Sequence, residues 1–226
     1  MMEKVSQKRK QFVVVGLGIF GSTVATTLYE LGKDVLCVDK NEELVQNIAD
    51  HVTLAVTGDA RDEAVLKQLD VQNFDVAIVG IGNKIESSLM VTLALKEVGV
   101  KHVIAKAVND THERALYKIG ADRVIRPEKD MGKRVARNIA ISKLIDYIEL
   151  SDSYSIFEIN CPTSWVGHTL IELDVRQNFG VTILGMKRNN EFVFTTENIV
   201  PFEETDVIIV LGQPDDFYKQ LEKIGN

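Results

Sequence analysis

At 226 residues the chain is long enough for one large domain or two modest ones, each able to bury a core. Hydrophobic residues make up 45% and charged residues 26%, and no apolar run approaches the ~18 residues that cross a bilayer. The formal net charge of −7 offers no general footprint for a phosphate backbone, so nucleic acid is not an expected partner.

Residues 1–10 (MMEKVSQKRK) are basic and lead straight into a strand-like run. They lack the apolar stretch and small-residue cleavage site of a signal peptide, and a cytoplasmic protein is expected. The two cysteines, Cys37 and Cys161, lie far apart inside apolar stretches and read as buried free thiols.

The first ~125 residues repeat one rhythm of a short β-branched run, a turn and an amphipathic helix. Strands are predicted at Phe12–Val15, Val35–Val38, Thr53–Val56, Val76–Val79, Val103–Ala107 and Arg123–Ile125. Helices are predicted around Ser22–Leu31, Glu42–Asp50, Glu63–Leu69, Ile85–Val98 and Thr111–Ile119, with Gly32, Gly99 and Gly120 at helix ends. Strands this apolar are covered on both faces, and their alternation with helices implies a Rossmann-like, doubly wound parallel sheet.

After Pro127 the pattern changes. Asp130–Ile148 reads as one long helix with Val135, Ile139 and Ile145 on its apolar stripe, suited to a crossover between lobes or subunits. Further strands follow at Ser155–Asn160, Val181–Arg188, Glu191–Thr195 and Asp206–Leu211, with a hairpin turn at Asn189–Asn190 and a closing helix over Asp215–Lys223. The expected organisation is a nucleotide-binding α/β domain over 1–129, a crossover-helix linker over 130–151 and a small α+β domain over 152–226.

Gly16-Leu17-Gly18-Ile19-Phe20-Gly21 fits G-x-G-x-x-G between a predicted strand and a predicted helix, the context a dinucleotide site requires. Gly16 serves the tight turn, Gly18 the close approach of a pyrophosphate, and Gly21 the packing of helix on strand. Phosphate would sit on the helix N-terminus. Asp39 ends the second strand, where a carboxylate accepts ribose hydroxyls and repels a 2′-phosphate, so NADP is disfavoured while NAD, ATP, ADP and AMP stay open. Lys40, Asp59 with Ala60, and Ile81-Gly82-Asn83 also stand at strand C-terminal ends, the edge where such sheets bind ligands. Asp59 is placed either to accept from an adenine amino group or to cap the helix before Glu63.

The segments V-V-G-L-G-I-F-G-S, V-D-K-N, T-G-D-A, A-K-A and above all K-I-G-A-D-R-V-I-R-P-E-K-D-M-G at Lys118–Gly132 resemble the regulator of K⁺ conductance (RCK) family of Trk/Ktr potassium-uptake regulatory subunits. L-I-E-L-D-V-R-Q-N-F-G-V at Leu170–Val181 is similar to the family's C-terminal subdomain. The resemblance implies a non-enzymatic regulatory subunit, dimers assembled into an octameric ring beneath a membrane K⁺-translocating protein, and gating by an adenine nucleotide. It further implies that Lys106 pairs with phosphate and that Glu128 holds a divalent cation near the phosphates at the dimer interface. Leu173, Val175 and Arg176 match a cyclic di-AMP site, with a surface pair between Arg176 and Glu172 as the alternative. Ile19 departs from the arginine that many relatives use to reach the terminal phosphate of ATP in a neighbouring subunit, implying weaker discrimination of ATP from ADP or a preference for NAD(H) or AMP.

The rival reading is an NAD-dependent oxidoreductase, which needs an acid–base group beside the nicotinamide. His51, His102 and His112 are scattered through the first domain and His168 is alone in the second, with no catalytic cluster or metal-ligand spacing in the sequence.

Overall fold

The structure, a computed structural model, describes residues 10–141, 143–151, 153–189, 191–194, 200–214 and 217–218. The basic residues 1–9, Asn190 of the hairpin turn and most of the expected closing helix lie outside the described residues. The chain divides into two compact units, 1–128 and 129–226. Among the described residues, no helix is long and apolar enough to cross a membrane.

The first unit runs β1 (Gln11–Val15), α1 (Ile19–Glu30), β2 (Asp34–Asp39), α2 (Glu42–Ile48), β3 (Leu54–Thr57), α3 (Glu63–Gln68), β4 (Val76–Val79), α4 (Ile85–Glu97), β5 (His102–Lys106), α5 (Asp110–Lys118) and β6 (Arg123–Ile125). All six strands are parallel, in the order β3-β2-β1-β4-β5-β6. Alternation along β1 shows why helices cover both faces. Val13 and Val15 enter one core with Leu66 of α3, Leu95 of α4 and Leu116 of α5, while Val14 enters the other with Ala25 of α1 and Val45 of α2. Strand order reverses between β1 and β4, so the loops leaving these strands part and open a crevice. Cys37 and Cys161 are buried free thiols, pushed up to about 12 and about 11 by burial.

The second unit corrects one expectation. Helix α6 (Pro127–Ala140) ends well before Ile148, and Leu144–Glu149 is a strand, β7, antiparallel to β8 (Ser155–Asn160). A register shift between Leu144 and Asp146 brings Leu144 and Tyr147, three apart, both into the core. The bulge thus imitates helical spacing in a strand. Arg134 is bonded to Asp146, and Arg137 reaches Tyr147 and Glu149, so the charged face of α6 meets β7. Its apolar stripe of Met131, Val135 and Ile139 is exposed in the single chain.

Strands β9 (Thr182–Arg188), β10 (Glu191–Phe194) and β11 (Val207–Gly212) complete an antiparallel sheet in the order β10-β9-β11-β8-β7. Phe157, Trp165, Met186, Ile208 and Phe217 fill its core. Two short helices not anticipated from the sequence, α7 (Leu170–Leu173) and α8 (Val175–Phe179), meet at Asp174, whose φ is 40°.

Candidate functional site

The crevice at the β1/β4 switch is shaped by three interlocked glycines. Gly16, at φ 92°, donates its N–H to Val38 O, and Gly80 donates to Val15 O. A Cβ on Gly21 would stand 1.9 Å from Gly16 O, and one on Gly80 would stand 2.8 Å from the same oxygen. Loop, helix and strand are therefore in backbone contact. A Cβ on Gly18, by contrast, would meet nothing within 4 Å, so that face of the loop is open.

Helix α1 starts at Gly18 with no side-chain cap and no acidic residue in its first turn. Helix α4 likewise lacks a side-chain cap but carries Glu86 in its first turn, and the other three helices that follow strands behave differently. Asn41 caps α2, Asp62 caps α3 and Asn109 caps α5, each helix carrying acids in its first turn. Its first N–H groups and positive dipole end thus stay available to an anion. Ile19 is 92% exposed.

A cavity of about 230 Å³ lies at the strand ends, lined by Gly16, Asp39, Lys40, Asp59, Ala60 and Ile81 among the expected residues. Asp39 Oδ2 accepts the N–H of Leu17 at 2.6 Å, and Oδ1 accepts that of Asn41 at 2.9 Å. These bonds aim the carboxylate between the glycine loop and β2 while leaving each oxygen a further lone pair. Sequence reasoning missed Arg61, Lys84 and Ser87, which also line the cavity. Arg61 was legible only as a cation two residues past Asp59; Lys84 and Ser87 follow the β4 loop at the start of α4.

Asp59 is not the cap of α3, a role taken by Asp62. Its carboxylate is gripped by Arg61 Nε at 3.0 Å and Nη2 at 2.6 Å, and by Lys40 Nζ at 3.2 Å. The Arg61 guanidinium holds it well below the usual carboxylate range.

Lys106 ends β5, close to Phe20 and Gly82. Its ammonium lies 5.8 Å from the Phe20 ring centroid, and a Cβ on Gly82 would meet it at 3.4 Å. It pairs with Glu128 Oε1 at 2.5 Å, and this bond lowers the Glu128 pKa. Phe20, Gly82, Lys106 and Glu128 are therefore brought together beside the loop, outside the walls of the cavity. Asn83 is exposed in the loop after β4. No group of three His, Cys, Asp or Glu side chains able to hold a metal occurs among the described residues.

In the second unit Val175 is buried and Leu173 half-buried, both against that unit's core, while Arg176 is exposed. The alternative pairing of Arg176 with Glu172 does not form. The break at Asp174 interrupts the helix between them, and Glu172 instead closes a capping box with Thr169.

A TrkA-N domain model matches residues 12–127, and a TrkA-C domain model matches residues 155–224. The Ktr system potassium uptake protein C of Bacillus subtilis (strain 168) is 42% identical over 92% of this chain and 94% of its own length. The chain belongs to the Ktr/Trk potassium-uptake family. Another Ktr/Trk relative, the Ktr system potassium uptake protein A of the same organism, is 39% identical over 96% of this chain and 98% of its own. Among solved structures, the GsuK channel superposes with a TM-score of 0.70 at 18% identity, over 98% of this chain and 40% of the channel chain. That likeness extends the Ktr/Trk fold to a chain more than twice as long.

Proposed function

We propose that this chain is the cytoplasmic regulatory subunit of a membrane K⁺-translocating system, and that an adenine nucleotide in the first unit is its signal. The observation that carries the reading is the uncapped N-terminus of α1 opening beside Asp39. Anion-binding N–H groups and a ribose-binding carboxylate meet there at one switch point. The GsuK channel has been solved bound to NAD and bound to ADP, which supports an adenine nucleotide as the ligand.

Phosphates would lie along Gly16, Gly18 and Phe20–Gly21 and take Lys106 from Glu128. Glu128, so released, would hold a divalent cation only together with phosphate oxygens or a second subunit, because it has no neighbouring ligand set among the described residues. Ile19 brings no donor, so ATP and ADP are expected to bind with similar affinity. The exposed stripe on α6 supports a homodimer, the unit of a larger ring. Arg176, exposed at a kinked helix pair, keeps a cyclic di-AMP contact open for two chains facing each other.

Calorimetric titration of the purified protein with ATP, ADP and NAD tests the reading. Micromolar binding of at least one, abolished by a Gly18→Glu change, is expected; absence of binding by all three would remove it. Turnover of NAD with small alcohols or acids at enzyme-like rates would instead favour the oxidoreductase.

A further inference from the structure

The expected acceptor for the adenine amino group is already saturated. Asp59 Oδ2 receives Arg61 Nη2 at 2.6 Å and Lys40 Nζ at 3.2 Å. Oδ1 receives the Arg61 backbone N–H at 3.1 Å and Arg61 Nε at 3.0 Å. A carboxylate offers about four lone-pair positions, and four donors occupy them. An incoming amino group would have to displace a donor that is itself charged, Arg61 or Lys40, and put a neutral donor in its place, a net loss.

What Asp59 does instead is hold a plane. A guanidinium bonded edge-on through Nε and Nη2 keeps both flat faces free, and such faces stack on aromatic rings. Arg61 lines the cavity together with the apolar side chains Val15, Val38, Ile81 and Val91. A planar base entering from the ribose held at Asp39 would therefore meet apolar side chains and a cationic plane within the same cavity. Lys40, which shares Asp59, is a point charge with no plane and cannot substitute.

We propose that Arg61, anchored by Asp59, grips the base of the bound nucleotide by stacking its guanidinium face on the ring, so that the base is held by its face rather than read by its edge. The proposal rests on the nucleotide reading of the site. It makes Arg61 a binding residue and Asp59 its positioning residue.

The test is calorimetric titration of the full chain with ADP and with GDP, for the wild type, Arg61→Ala, Arg61→Lys and Asp59→Asn. The wild type is expected to bind the two within about tenfold of each other. Arg61→Ala should weaken both about fivefold, the size of an exposed cation–π contact. Arg61→Lys should also weaken both, by less than Arg61→Ala, because an ammonium keeps the attraction to the ring and loses the stacking plane, and Asp59→Asn should weaken both by loosening the anchor. Arg61 is exposed, so its variants are expected to fold as the wild type does. Full binding by Arg61→Lys, unchanged binding by Arg61→Ala, or a preference for ADP above a hundredfold would each overturn the proposal. A wild-type chain that binds neither nucleotide would instead remove the nucleotide reading beneath it.

Discussion

Replacing Glu128 with glutamine should tighten the binding of a phosphate-bearing nucleotide. Lys106 is committed to Glu128 at 2.5 Å, so a phosphate must compete for the same ammonium. The two partners are unequally exposed, Lys106 at 13% and Glu128 at 67%. Solvent therefore screens the carboxylate, and the pair falls in the range of surface ion pairs, up to about 1 kcal/mol. Removing that competition corresponds to at most about a fivefold gain in affinity. Lys106→Ala should act oppositely and more strongly, since a charged hydrogen bond to phosphate is worth about 1.5–3 kcal/mol. The assay is calorimetry with ADP and with adenosine, at low ionic strength and in the presence of a chelator. ADP should bind Glu128→Gln more tightly and Lys106→Ala more weakly, with adenosine indifferent to both. Added Mg²⁺ should shrink or reverse the Glu128→Gln gain, because glutamine cannot supply the charge a cation needs. Weaker ADP binding by Glu128→Gln in chelator, or equal shifts for adenosine, would refute the competition.

Gly21→Ala should destabilise the first unit by about 3 kcal/mol or more, because its Cβ would meet a backbone oxygen at 1.9 Å that no rotamer can move; an unchanged denaturant midpoint would contradict this. His112 is buried, with Nδ1 accepting from Val108 N–H and Nε2 unpartnered, and burial lowers its pKa. The unfolded chain therefore takes up a proton before the folded one, so stability is full above about pH 6.5 and falls as pH drops below it. His112→Gln should flatten that dependence in denaturant unfolding at pH 7.5, 6 and 5, and identical slopes would exclude the role. Ile139→Glu should reduce the mass of the assembly by light scattering at fixed concentration, since the residue is 79% exposed and its change should leave the chain folded; an unaltered mass would show that α6 is not an assembly face.

The α/β unit was legible because its signals agree with one another. Apolar β-branched runs such as Val13–Val15 and glycines after helices point to the same elements. Helix α1 begins three residues before Ser22, since Gly18 itself is the cap position. The second unit was less legible where local pattern and pairing conflict. The bulge between Leu144 and Asp146 gave a strand the spacing of a helix, and α7 and α8 are too short for periodicity to show. At the site, the glycine loop and Asp39 were visible as a motif, but the partners of charged residues were not. Asp59 could be placed at a strand end, yet its bonds to Arg61 and Lys40 depend on rotamers that spacing does not encode. Likewise Lys106 and Glu128 were expected on separate ligands and are on each other.

The central claim is that a nucleotide in the crevice controls K⁺ movement through a membrane partner. Its most direct test is Rb⁺ uptake into proteoliposomes holding the K⁺-translocating protein that co-purifies with this chain, with ATP, ADP or NAD added in turn. Uptake is expected to require this chain and to change severalfold between nucleotide-bound and nucleotide-free states, and Gly18→Glu is expected to abolish the change. Uptake that responds to the chain but is the same with every nucleotide and with none would contradict it.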